Sequence, residues 1–236
     1  EIGLSNSNFT NSTGWPDPEH LMTTRDILKL SVKTIQDFPD LYKLYSIKEY
    51  TYNKIRQVNR NPLLFNNNGS DGLKTGHTSL GGFGLSASTV KNGRRLILVI
   101  NGLDSNILRK QESKRLMDAG FFQFKNLKIL KKNINVENIN VWGGEKNKLP
   151  IYSKEDIAIT IPSLIKKNIK TFIKYESPLL APINRDQKVA KLVVKNNNEV
   201  LKEFDLFAFE NISKTNFFNQ IVLKFKYLIF GESVYN

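Results

Sequence analysis

The 236-residue chain has no cysteine and only two histidines, His20 and His77. The first absence excludes disulfides and thiolate metal sites. The second leaves too few ligands for a protein-built metal centre, so no metal and no cofactor are expected. A cysteine-free chain is compatible with an envelope protein. Clustered arginines and the aromatic motifs of RNA-binding modules are missing too, so no nucleic-acid partner is expected. There is no signal peptide, and the chain opens at Glu1 in the middle of a turn-rich run, EIGLSNSNFTNSTGWPDPEH. That opening leads to the expectation of a fragment or a processed chain.

What is present is basic and partly apolar. Hydrophobic residues make up 40% and the formal net charge is +13. The apolar share supports a packed core and argues against global disorder. The positive charge suits nucleic acid, an anionic membrane face or an anionic polymer. A chain rich in Lys, Asn and Ile together is also what a biased genome would produce. The excess of charge is slightly larger in the second half.

The pattern along the chain reads as two textures. Residues 5–20 are turn-forming. Thr23-Thr24-Arg25-Asp26 reads as a capping box, with Thr23 as N-cap and Asp26 at the third helical position. Ile27, Leu28, Leu30, Val32 and Ile35 give one helical face that stops before Pro39. Residues 45–52 read as a strand and 57–70 as an Asn-rich loop. Lys74 to Thr78, KTGHT, is expected to open the next strand. LSASTV and RRLILVINGL flank Asn92-Gly93 and predict a β-hairpin. QESKRLMDAGFFQF predicts a helix. From residue 125 to 212 short Ile/Val/Leu runs alternate with turns, which predicts an all-β module.

Lys-Thr-Gly alone is a weak signal. Its context gives it chemistry: a strand lysine supplies a fixed positive charge beside a nucleophile or a carboxylate. The threonine can donate to that carboxylate. The glycine lets a substrate backbone lie against the strand. This is the third motif of the active-site serine penicillin-recognising enzymes. FTNSTGWPDPEHLMTTRDILKLS, NRNPLL, DGLKTGHT and ESKRLMDAGF resemble, in order and spacing, the D-alanyl-D-alanine carboxypeptidases among the low-molecular-mass penicillin-binding proteins. VWGGE and SPLLAPINRDQKVAKL resemble that family's C-terminal domain.

The resemblance implies an α+β fold. A partial penicillin-binding/β-lactamase-like domain, an antiparallel sheet with helices, would occupy residues 1–124. An all-β sandwich-like domain would follow over 125–212, and an amphipathic tail over 213–236. It implies acyl transfer by a serine that removes the terminal D-alanine from peptidoglycan stem peptides and that β-lactams trap. By motif, Lys74 corresponds to the lysine of the reacting centre. Thr75, Gly76, His77 and Thr78 correspond to the substrate-binding strand, with Thr78 near the substrate's terminal carboxylate. Arg109 corresponds to an arginine near that carboxylate, although NGLDSNILRKQ departs from the Gly-Gly-Arg pattern common there. Arg60 corresponds to an arginine bordering the site. Asp17 and Asp26 read as turn and cap residues rather than acids.

The nucleophile is not found. Only 73 residues precede Lys74, and the two Ser-x-x-Lys matches, Ser88 to Lys91 and Ser163 to Lys166, both follow it. Neither is expected at a helix start beside the site. No Ser-x-Asn triplet occurs. The chain therefore reads as the C-terminal portion of a carboxypeptidase, inactive alone. A non-catalytic envelope module with a remnant Lys-Thr-Gly is the alternative, and a β-lactamase relative fits less well because of the large β-module. At the end, Phe217, Phe218, Ile221, Val222, Phe225, Leu228 and Ile229 form one stripe flanked by Lys224 and Lys226. A segment of that length is too short to span a bilayer. Residues 214–230 are expected to lie on an anionic membrane surface. The implied location is the bacterial periplasm, attached to the outer face of the inner membrane.

Overall fold

The computed structural model describes residues 2–66, 69–218, 221–222 and 228–229. The chain divides into two compact units, Glu1–Phe122 and Gln123–Asn236.

The first unit begins with helix α1 (Thr24–Asp37), a single turn α2 (Pro39–Tyr42) and a hairpin of β1 (Glu49–Tyr52) and β2 (Ile55–Val58). A three-stranded antiparallel sheet follows, β3 (Ser70–Thr78), β4 (Gly82–Lys91) and β5 (Arg94–Leu103), paired in chain order. Helix α3 (Asn106–Phe122) closes the unit. Strand alternation separates the two faces of the sheet. Leu85 and Ala87 of β4 join Met117 of α3 and Leu63 of the short turn Pro62–Phe65 in one apolar cluster. Ser86, on the other face, meets Ser31 of α1 oxygen to oxygen at 2.7 Å.

Tyr42 pins β3 against this frame. Its hydroxyl donates to Asp71 Oδ1 at 2.7 Å, and Arg95 Nη1 of β5 donates to the same oxygen at 2.9 Å. Burial pushes the Tyr42 phenol up to about 12, Asp71 adding to the shift while Ser88 and Arg95 oppose it. Gly72 has to be glycine here, since a Cβ would lie 2.7 Å from the Tyr42 oxygen.

Four local expectations are corrected. The segment 45–52 is strand only from Glu49, and β2 falls where the Asn-rich loop was expected to begin. The turn between them, Asn53-Lys54, holds both residues at positive φ, 48° and 63°. That is the hairpin geometry usually marked by Asn-Gly, and a lysine hides it. KTGHT closes β3 rather than opening a strand, because pairing with β4 already starts at Ser70. Helix α3 begins five residues before Gln111, capped by Ser105, whose Oγ accepts from Leu108 N at 3.1 Å. Finally, Thr23 caps α1 as expected, accepting from Asp26 N at 3.1 Å, but Asp26 turns to the chain's beginning. Its Oδ2 accepts from Asn6 N and Ser7 Oγ, both at 2.9 Å.

The second unit is β-rich. It contains β6 (Phe124–Leu130), β7 (Glu137–Trp142), β8 (Lys148–Tyr152), β9 (Ile157–Pro162), β10 (Ile169–Lys174), β11 (Leu179–Leu180), β12 (Lys188–Asn196) and β13 (Glu199–Ala208). Six strands form one sheet in the order β10-β12-β13-β8-β7-β11, and β6 pairs with β9. Inward residues of the two sheets meet: Ile157 joins Ile139, Leu149, Ile151, Leu192 and Leu206 in the main core. Ile159 and Ile161 pack with Val194. This is the expected sandwich-like arrangement. The predicted tail helix over 214–230 falls partly outside the described residues. Of its stripe, Phe217, Phe218, Ile221, Val222, Leu228 and Ile229 are described and exposed.

Candidate active site

Among the described residues, β3 is an edge strand of the three-stranded sheet, paired to β4. An open cleft of about 830 Å³ runs beside it. Its wall includes Lys74, Thr75, Gly76, His77 and Thr78 from β3, together with Arg60 and Arg109. Every residue singled out from the sequence thus borders one cavity. Among the described residues, no carboxylate lines it.

The groups are held in different ways. Lys74 is exposed, and its Nζ donates to the Thr75 carbonyl at 2.8 Å. The Thr78 hydroxyl oxygen accepts from Gly81 N at 2.8 Å, which leaves its proton free to be donated elsewhere. His77 lies opposite Phe83 in the β3–β4 register, and the two rings stack at 3.8 Å and 14°. His77 Nδ1 lies 3.2 Å from the Gly82 carbonyl.

Arg109 is the most constrained cation. It is 5% exposed, on the first turn of α3. Nη2 donates to Asn106 Oδ1 at 2.7 Å, while Nη1 reaches the Gly76 and Gly84 carbonyls only at 3.4 and 3.5 Å. Nε is buried with no acceptor. The Phe83 ring lies 5.5 Å from its guanidinium carbon. Burial lowers its pKa from the usual guanidinium value, and the neighbouring Arg60 charge lowers it further. A buried cation with one short and two long hydrogen bonds, a like charge nearby and no carboxylate among the described residues lining the cleft can receive an anion.

Thr13, Gly14, Asn59, Phe83 and Asn106 also line the cleft. Thr13, Gly14 and Asn59 fall inside segments that carry the family resemblance, without residue order alone marking them as site residues. Phe83 joins the cleft through the pairing of β4 with β3, and Asn106 because α3 begins five residues before the expected helix. Neither of the two late Ser-x-x-Lys matches is among the residues lining the cleft. Ser88 is fully buried on β4 and bonds to Arg95, and Ser163 lies in a 3-10 turn of the second unit.

A family model for D-alanyl-D-alanine carboxypeptidases matches residues 1–105. A second, for the C-terminal domain of penicillin-binding protein 5, matches residues 124–214. The chain belongs to the D-alanyl-D-alanine carboxypeptidase family. It is 34% identical over 226 residues to D-alanyl-D-alanine carboxypeptidase DacA of Haemophilus influenzae, covering 94% of this chain and 57% of that protein. It is 33% identical over 223 residues to DacC of Escherichia coli, covering 94% and 56%. The crystal structure of penicillin-binding protein 5 from Haemophilus influenzae superposes with a TM-score of 0.81 at 34% identity, covering 90% of this chain and 63% of the other. DacD from Francisella tularensis gives 0.74 at 27% identity, covering 91% and 66%. The chain thus spans a little over half the length of the curated carboxypeptidases it matches.

Proposed function

We propose that this chain supplies one wall of the active site of a serine D-alanyl-D-alanine carboxypeptidase acting on peptidoglycan stem peptides. The observation that carries the reading is the carboxylate-free cleft beside the open edge of β3. Its cations are Lys74, Arg60 and the buried Arg109. A peptide ending in a free carboxylate can lie along β3 as an added strand. Thr78, Arg109 and Arg60 then face its terminus, and Gly76 leaves room for its backbone. Lys74 sets the charge around the attacking serine, which these residues do not supply. A β-lactam would take the same place as the substrate. The tail adds reversible attachment to an anionic membrane, which would keep the enzyme at the outer face of the inner membrane.

The test uses a chimera in which the part of the Haemophilus relative preceding the match is joined to this chain. The isolated chain is expected to show no covalent labelling by a fluorescent penicillin. The chimera is expected to label, and Lys74→Ala to slow that labelling at least ~100-fold, since a charge beside developing charge is worth several kcal/mol. Equal labelling of Lys74→Ala and its parent would remove Lys74 from the site. Stoichiometric labelling of the isolated chain would mean that a late serine is the nucleophile.

A further inference from the structure

The outer face of the second unit carries an unusual row of side chains. β10 is an edge of the six-stranded sheet and pairs with β12. Their register sets Lys170 opposite Lys195, Phe172 opposite Val193 and Lys174 opposite Lys191. Directly opposed residues share a face, so the rows read cation pair, apolar pair, cation pair. Like charges in this position repel and weaken a sheet. β13 relieves only one side. Lys191 pairs with Glu203 at 2.7 Å and Lys188 with Asp205 at 2.8 Å. Among the described residues, Lys170, Lys174 and Lys195 form no salt bridge. Between them the Phe172 ring is 48% exposed, with the Lys195 ammonium 5.4 Å from its centroid.

Edge protection explains part of this. Lysines on an edge strand deter pairing with another chain. That role covers Lys170 and Lys174 but not Lys195, which sits on the inner strand β12. It also runs against Phe172, whose bare ring on the edge invites association.

The spacing says more about an occupant. Lys170 and Lys174 are four residues apart on an extended strand, about 13 Å, with Phe172 midway. A linear polymer lying along β10 could rest one flat apolar ring face on Phe172 while acidic groups on either side reach the lysines. A lipid surface would need several insertable apolar side chains, and this face offers one ring. We propose that the β10–β12 face binds a carboxylate-bearing glycan chain, with Phe172 against a sugar ring and Lys170, Lys174 and Lys195 on its acidic groups. The site is independent of the carboxypeptidase reading, because all four residues belong to the second unit and none needs the nucleophile.

The experiment measures affinity of the full chain for four probes: polygalacturonate, polyglutamate, neutral dextran and phosphatidylglycerol vesicles. Polygalacturonate is expected to bind, more weakly as salt rises, and more tightly than polyglutamate. Dextran is expected not to bind. Phe172→Ala and Phe172→Leu should each weaken polygalacturonate by about tenfold, the loss of one stacked ring, and leave polyglutamate unchanged. Lys170→Gln with Lys195→Gln should weaken both polyanions. These side chains are exposed or half-buried, and unchanged melting curves would confirm that the variants fold. No binding to polygalacturonate overturns the proposal. So does an unaffected Phe172→Ala, which would mean plain adsorption of polyanions. Vesicle binding that the double lysine variant loses would also overturn it, in favour of a lipid surface.

Discussion

A methyl group on Gly76 would meet no heavy atom within 4 Å, because the edge of β3 opens there onto the cleft. Its backbone lies outside the left-handed region, so alanine fits the fold. Gly76→Ala is therefore expected to change stability by no more than about 0.5 kcal/mol. In the chimera it should slow turnover of a D-Ala-D-Ala peptide by projecting a methyl where the substrate backbone lies. Unimpaired turnover would place the substrate elsewhere. Asp26 makes a separate prediction about acid. Burial pushes its carboxyl up, but hydrogen bonds from Asn6, Lys29 and Ser7 outweigh that and hold it below its usual range. A carboxyl whose pKa is lowered in the folded state stabilises above its unfolded value, and loses that contribution as pH falls through the folded one. The melting temperature should drop on acidification below about pH 4, the ordinary Asp value. Asp26→Asn should melt lower at neutral pH and depend less steeply on acid.

Elements differ in how openly they advertise themselves. The hairpin of β4 and β5 turns on Asn92-Gly93, both at positive φ, 51° and 72°. The hairpin of β1 and β2 uses Asn53-Lys54 for the same geometry and carries no glycine to reveal it. The tail belongs at this scale as well. Phe217 and Phe218 are 77% and 78% exposed, and Leu228 is 85% exposed. Each such side chain contributes roughly 1.5–3 kcal/mol on full burial, and lysines near an anionic surface add about 1 kcal/mol each. The full chain is expected to sediment with anionic liposomes, and a version ending at Ser213 to do so less. Phe218→Asp with Phe225→Asp should abolish the difference, while salt should reduce it only in part. Equal sedimentation of the two lengths would rule out a tail anchor.

At the scale of the molecule, the units hold themselves together unequally. The second has a continuous core, in which Leu149, Ile151 and Leu206 are fully buried. The first buries a smaller cluster around Leu63 and Met117, and leaves Leu41, Tyr50, Tyr52 and Ile55 each more than 60% exposed. Leu149→Ala should destabilise the second unit by about 2–5 kcal/mol, the range for a cavity in a tight core. In calorimetry it should lower one transition and leave the cleft-bearing unit's transition in place. A single transition shifted as a whole would show that the two units unfold together.

The sequence by itself determined the motif, its chemistry and the change of texture near residue 124, because these depend on local residue order. Lys74 to Thr78, Thr23 as a cap and the Asn92-Gly93 turn are all legible within a few residues. It did not determine where KTGHT sits on its strand, since that register follows from the pairing of Ser70 with Thr89. Nor did it mark Phe83, which meets Arg109 only once β4 and α3 are packed. The same holds for Lys170, Phe172 and Lys195, which become one surface through strand pairing across a gap of more than twenty residues. Local propensity acts along the chain. Burial, register and the placement of charge against charge act across it, and only the tertiary structure decides them.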